Sequence, residues 1–363
     1  MDDQTKLFIN RRKSLKKMAV GILAALCAPF MMTPSRASSK RILIRDSGGI
    51  INQAYNEVLY KPFSKKTGIE VIGVPASANP TAQIQTMVQS KNYLWDMAAL
   101  GEMAILLLTN GSGGKCFLEK HKLELDPVIS RIPPQFMSPY GVGTNVYSTV
   151  LAYRTDVFKK HQAPQTWRDL WDIKNFVGRR GLYRHPLDMT EIALMANGVP
   201  ANDIYPCDLD RAFRSLSKIK RDISVWWTSG PQVEQLLKSG EIDLTPAWIS
   251  RVQTAIDAGA PVAFSWHQHI YQCDSWAILK GTPNADACRE FIKFASDPER
   301  QALLAAYAIG PTQPDAFNYI KPKPAMNLTS YPTNLERGRH IDAAYWCKNQ
   351  DHAIQRFNDW MLS

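Results

Sequence analysis

Two α/β lobes are the fold predicted by this chain of 363 residues, and three observations predict it. Short β-rich runs alternate with helix-period segments along the chain, the order that builds parallel sheets covered by helices. The length exceeds one ordinary domain and suits two. Near the middle, Tyr140-Gly-Val-Gly143 leads into Thr144–Tyr153, rich in Val, Thr and Tyr and a candidate to cross between lobes. Each lobe is expected to be a mainly parallel sheet flanked by helices, and crossing strands should join the two.

The first 37 residues stand apart. The basic run Asn10-Arg11-Arg12-Lys13-Ser14-Leu15-Lys16-Lys17 precedes the apolar Met18–Leu26, too short to span a bilayer. Thr33-Pro34-Ser35-Arg36-Ala37 then offers small residues where a signal peptidase reads. That order is an export signal. The paired arginines resemble a twin-arginine signal, although Ser14 replaces the usual aromatic and leaves the general secretory route open.

The mature part opens on Arg41-Ile-Leu-Ile-Arg45, broken at Asp46-Ser47-Gly48-Gly49. Ile50, Ile51, Ala54, Val58, Leu59 and Phe63 fall at helical spacing up to Lys66-Thr67-Gly68, and Ile69–Val74 is β-rich again. A helix through Gln83–Gln89, a strand over Leu94–Ala99 and a helix opening at Gly101-Glu102 follow. Beyond the crossing strand, Pro164–Phe176 and Gly178-Arg179-Arg180-Gly181 enter the second lobe. Its pattern predicts a helix over Asp208–Ile219, a strand at Ile223–Trp227, a helix over Gln232–Ser239 and a strand at Ile242–Trp248. Phe264-Ser-Trp266 and Asp274–Leu279 read as two return strands. Helices follow over Ala285–Ser296 and Pro298–Tyr307, then a Pro-rich stretch from Pro311 and a last helix near Ala343–Leu362. The division expected is signal 1–37, first lobe 38–145 plus 281–330, second lobe 146–280, and a C-terminal helical segment 331–363.

Charge excludes one class. The net charge is +10, but residues 1–37 carry seven Lys/Arg against two Asp/Glu, so the remainder holds only +5. No run of five like charges occurs there, and its aromatics are not interleaved with basic clusters, so no nucleic-acid partner is expected. Cleavage after Ala37 would leave five cysteines: Cys116, Cys207, Cys273, Cys288 and Cys347. The odd number and the lack of CxxC point to buried thiols with at most two disulfides. No HExxH, P-loop or G-x-S-x-G is present, so neither catalysis nor a cofactor is expected. His267 and His269 would share a strand face, but no third metal ligand is evident.

Ligands of open α/β sheets collect where strands end and helices begin. Asp46, Ser47 and Gly48 form one such junction, with a turn and helix cap as the competing reading. Glu102 opens a helix at another. Trp226, Trp227, Thr228 and Ser229 form a third, where one indole should be core and the other should reach the cleft. Asp188 and Glu191, three apart, can share one cationic amine.

Several stretches carry a family resemblance: Lys61-Pro-Phe-Ser-Lys-Lys-Thr-Gly-Ile-Glu-Val71, Leu94-Trp-Asp96, Leu151-Ala-Tyr-Arg-Thr-Asp-Val-Phe158, Val225-Trp-Trp-Thr-Ser-Gly230, Gly240-Glu-Ile-Asp243, Ala247-Trp248 and Phe294-Ala-Ser-Asp-Pro-Glu-Arg300. In order and spacing they resemble the periplasmic polyamine-type (spermidine/putrescine) solute-binding proteins of ABC transporters, over nearly the whole mature chain. The resemblance implies the type II periplasmic-binding-protein fold, with a solute trapped by hinge closure and delivered to an ABC permease in the inner membrane. A monomer is expected; an exported enzyme on the same two-lobed fold is the alternative.

The resemblance also marks Asp188, Glu191 and Asp274 as amine-binding and Trp248 as an aromatic wall. Departures matter here: Gln272 stands for an expected tryptophan, Gly310 for an aromatic, and Asp46 or Ser47 for another. A smaller amine or a zwitterion fits this cleft at least as well as a polyamine. Arg251 and Arg184 are candidates to face a carboxylate, which would favour an amino acid such as γ-aminobutyrate, with an ordinary surface or interlobe ion pair as the competing reading.

Overall fold

The computed structural model describes residues 41–76, 80–110, 114–159 and 162–363. The export signal read in residues 1–37 lies outside them. The β-rich opening run is strand β1 (Arg41–Asp46). The helical segment after it is α1 (Gly49–Tyr55), a π-type turn, and α2 (Lys61–Thr67), stopped by Gly68 at φ 75°. β2 (Glu70–Pro75), α3 (Thr81–Ser90), β3 (Met97–Gly101) and α4 (Glu102–Thr109) complete this unit, followed by the short β4 (Leu118–Glu119) and β5 (Met137–Ser138). β3 starts three residues later than the sequence predicts, because the Asp96 carboxylate instead ties Leu43, Thr282 and Asn284 together.

The crossing strand is β6 (Gly141–Arg154), 14 residues long. The second unit holds α5 (Trp167–Trp171), β7 (Arg180–Tyr183), α6 (Pro186–Ala196), α7 (Leu209–Ile219), β8 (Ile223–Trp227), α8 (Gly230–Ser239), β9 (Leu244–Trp248) and α9 (Ile249–Asp257). The two return strands expected at 264–266 and 274–279 are one strand, β10 (Val262–Leu279), with shifts in its pairing to β6 between Ser265 and Ile270 and between Asp274 and Ser275. α10 (Ala285–Ala295), α11 (Pro298–Leu303), α12 (Pro322–Ala325), α13 (Pro332–Leu335), β11 (Arg339–His340) and α14 (Ala343–Leu362) close the chain.

The strands run β2-β1-β3-β10-β6-β9-β7-β8. β1 pairs in parallel with β2 and β3, and β7 with β8 and β9; the central β3/β10, β10/β6 and β6/β9 pairs are antiparallel. Two parallel sets thus flank two long antiparallel strands, the crossing-strand arrangement that the sequence predicts. Helices cover both faces of each set, as parallel strands require. Ile42, Tyr60, Trp276 and Phe291 pack on one face of the first set, and Ile84, Leu100 and Ala277 on the other. The second set is covered by a core with Trp167, Ile192 and Phe213 and by another with Val233, Ile249 and Val252. Trp346, Ala353 and Phe357 of α14 belong to the core of Ile192 and Phe213, so this helix packs within the second set.

Candidate functional site

Strand register locates the cleft. β3 ends at Gly101, opposite Asp274, which itself pairs with Asn145 of β6. β9 ends at Trp248, opposite Thr149 of the same strand. The carboxyl ends of the two parallel sets therefore face each other across Asn145–Thr149, a floor of about 13 Å at the rise of a β-strand. Tyr147 sits at its centre. Sequence reasoning missed this residue, although alternation along β6 puts it on the face of Asn145 and Thr149.

On the second side, Trp227 is fully buried and donates from Nε1 to Thr245 Oγ1 at 3.0 Å. Tyr183 stacks on it at 4.5 Å, and Trp248 meets it edge-on at 5.6 Å. The aromatic surface is thus Tyr183 and Trp248, with Trp227 as their support rather than a cleft-facing group. Trp226 is also corrected: it packs against Phe357 and Trp360 of α14, because consecutive strand residues take opposite faces. At the start of α8, the Thr228 amide donates to Gln232 Oε1 at 2.8 Å, and Ser229 occupies the N-cap without a side-chain cap bond. The helix begins at Gly230, two residues before the start the sequence predicts.

Gly230 is needed there. A Cβ on it would lie 2.8 Å from Arg251 Nε and 3.0 Å from Trp248. The Arg251 guanidinium threads past this gap with a long ion pair to Glu234, 3.4 Å. It reaches the opposite unit, where a Cβ on Gly49 would be 3.7 Å from Nη2. Ser47, exposed, and Gly48, at φ 74°, lie in this same loop. Arg184 is exposed, and its backbone amide donates to the Trp227 carbonyl oxygen at 2.9 Å.

The carboxylates divide into two groups. Asp46 is fully buried and accepts from Tyr60 Oη at 3.0 Å, Asn52 Nδ2 at 2.8 Å and the Gly48 amide at 2.9 Å. Its lone pairs are engaged, so it shapes the Ser47–Gly49 loop and is not a ligand group. Glu102 accepts from or pairs with His340 Nε2 at 2.8 Å and borders a small cavity of about 140 Å³ with Phe136 and Ser275. Glu191, wholly buried, takes Tyr205 Oη and Trp346 Nε1 on one oxygen, both at 2.6 Å, which ties α6 to α14.

Asp188 and Asp274 differ. Asp188 has φ 67°, a backbone state costly for any residue but glycine, and it breaks the first turn of α6. One of its oxygens accepts from Thr149 Oγ1 at 2.6 Å; the other is buried with no partner. Asp274 is half-buried, with only a long bond from Asn145 Nδ2, 3.4 Å. Burial pushes the Asp188 carboxyl up to about 6, against the pull of Thr149. Burial pushes Asp274 likewise to about 6, against Asn145 and the Arg45 guanidinium. Burial and the charges of Asp274, Asp188 and Glu102 raise the Tyr147 phenol well above its ordinary value. Tyr147 therefore marks where acids from both units converge.

The histidine pair does not converge. The pairing shift in β10, with Gln268 at φ 59°, leaves His267 exposed and buries His269 against Asn334. Among the described residues no three potential ligands group to hold a metal ion, and the five cysteines there are unpaired thiols.

Comparison with known proteins agrees with this architecture. The chain is 32% identical over 336 residues to a γ-aminobutyric acid-binding protein of Pseudomonas aeruginosa, covering 90% of this chain and 92% of that one. It is 24% identical to spermidine/putrescine-binding periplasmic protein 1 of Haemophilus influenzae, over 83% of each. The crystal structure of an ABC transporter substrate-binding protein from Bradyrhizobium japonicum superposes with a TM-score of 0.82 at 38% identity, covering 89% of this chain and 99% of that one. Residues 59–329 match the model of the bacterial extracellular solute-binding proteins, and it is to this family that the chain belongs.

Proposed function

We propose that the protein captures a small amine-bearing amino acid of the γ-aminobutyrate type in the periplasm and delivers it to an ABC permease of the inner membrane. The observation that carries this reading is Arg251, a cation placed at one end of a cleft whose other end is acidic. A zwitterion answers both ends: its carboxylate meets Arg251 and the Ser47–Gly48 loop, with Thr228 and Ser229 beside them. Its ammonium meets Asp274 and Asp188 around Tyr147. Tyr183 and Trp248 supply the apolar wall between, where a cation over an aromatic face gains roughly 0.5–2 kcal/mol. Capture proceeds by closure of the first lobe (38–145 with 281–330) on the second (146–280), about the crossing strands β6 and β10. The export signal read in residues 1–37, which resembles the twin-arginine type and leaves the general secretory route open, supports a periplasmic location.

A polyamine is the second reading, favoured by two acids and supported by the relative named for spermidine and putrescine. Against it, Gly310 has no room for the aromatic that would grip a polymethylene chain: a Cβ there would lie 2.7 Å from the Val146 carbonyl oxygen. Thermal melting of the mature protein with γ-aminobutyrate, putrescine, spermidine and a neutral sugar tests both readings. A solute at 100 times its Kd adds about 2.7 kcal/mol. Stabilisation by γ-aminobutyrate that Arg251→Met abolishes is expected. Stabilisation by putrescine alone replaces the first reading with the second, and a response only to the sugar discards both.

A further inference from the structure

Asp188 and Glu191 lie three residues apart at the kinked start of α6, both essentially without solvent exposure, and each keeps one carboxylate oxygen with no partner. The groups facing them are few. Asp188 accepts from Thr149 of β6, and its charge acts on Tyr147 of β6 and Tyr183 of β7. Glu191 accepts from Tyr205 of the segment before α7 and from Trp346 of α14, and its charge acts on Cys207 and Tyr345. The charge of Asp188 also acts on Glu191. Among the described residues no lysine, arginine or histidine bonds or ion-pairs to either side chain.

Two carboxylates buried three residues apart, without a bonded cation, are too costly to keep both charged, so such a pair takes up a proton instead. We propose that Asp188 and Glu191 form a proton site of the empty cleft, and that a cationic group seated on Asp188 displaces that proton to solvent. This rests on the amine-binding reading above. Charge balances throughout: one ammonium enters and one proton leaves, with Glu191 keeping its two donors. The direction agrees with the local field, since burial pushes Glu191 up to about 7, with a smaller push from Asp188. As one proton is exchanged per solute, affinity rises up to tenfold per pH unit while the pair titrates, and levels off above it.

Two measurements on the full mature chain test this. The first follows carbon-13-labelled Asp and Glu carboxyls by NMR in the empty protein from pH 4 to 8. A pair titrating together above pH 5 is expected, and it should change in both Asp188→Asn and Glu191→Gln. If every carboxyl has finished titrating by pH 5, the proton site is overturned, whatever the solute. The second is calorimetry of γ-aminobutyrate and putrescine at pH 6.5 in phosphate and in Tris. Heats that differ between buffers by the uptake of released protons support the exchange, and equal heats refute it. Should neither probe give heat at any pH, the amine reading falls instead, and the NMR titration alone decides the proton site.

Discussion

Asp188 pairs a strained backbone with a carboxylate that the fold leaves half satisfied, and both cost stability in the empty protein. The buried acids give this cost a pH dependence. Their folded values, about 6 for Asp188 and Asp274 and about 7 for Glu191, lie above the ordinary carboxyl range. Groups raised in this way stabilise the fold at low pH, below the ordinary carboxyl values, and that contribution is lost as pH rises through 6 to 7. The melting temperature of the empty protein is expected to carry a downward trend from pH 5 to 7.5, flatter in Asp188→Asn. A trend of equal slope in that variant would assign it to other groups. Arg251 has a sharper expectation: Arg251→Met should weaken an amino-acid solute roughly 10- to 100-fold, as loss of a charge-assisted bond does, and leave a diamine nearly unaffected. Isothermal titration of both solutes checks it.

Among the elements, α14 and the Gly310 bridge are the most exacting. Phe357 and Trp346 are buried in the second core. Phe357→Ala should cost about 3–5 kcal/mol in a denaturant titration. Gly310 lies against the Val146 carbonyl oxygen and Ser330. Gly310→Ala should lower the melting temperature by several degrees, and an unchanged value would show that β6 yields there. Most elements were legible in the sequence because their signals are local. β8 spans Ile223–Trp227 and α14 spans Ala343–Leu362, the same residues their apolar spacing marks. β10 was split in two because Gln268 lies at positive φ, and nothing in the sequence announces that. The start of α8 was misplaced for another reason: Gly230 reads as a turn residue, yet it is chosen for the approach of Arg251 and Trp248. The site divides the same way. Asp274 and Trp248 were marked by resemblance; Asp274 lies opposite the end of β3, and Trp248 ends β9. Asp46, Trp226 and Glu191 carry the right chemistry but are bonded into the fold, which only long-range partners such as Tyr60, Trp360 and Trp346 reveal.

For the molecule as a whole, solute capture should appear as a change of size. If β6 and β10 act as the hinge, the radius of gyration in X-ray scattering should fall when γ-aminobutyrate is added. Arg251→Met should blunt that change, because its guanidinium reaches Gly49 on the facing unit. A radius independent of solute would separate binding from closure.

β10 also governs when the protein can first become itself. Met97, Ala98, Ala99 and Leu100 of β3 find their antiparallel partners only at Ile278, Ala277, Trp276 and Ser275. A ribosome has made most of the chain before those partners exist, and such distant pairings are slow to form. Until then the first lobe's sheet has an open, apolar edge, the surface that chaperones and aggregates recognise. Nascent chains stalled at residue 260 should therefore be digested throughout 41–110, whereas chains stalled with residues 262–340 outside the ribosome should resist.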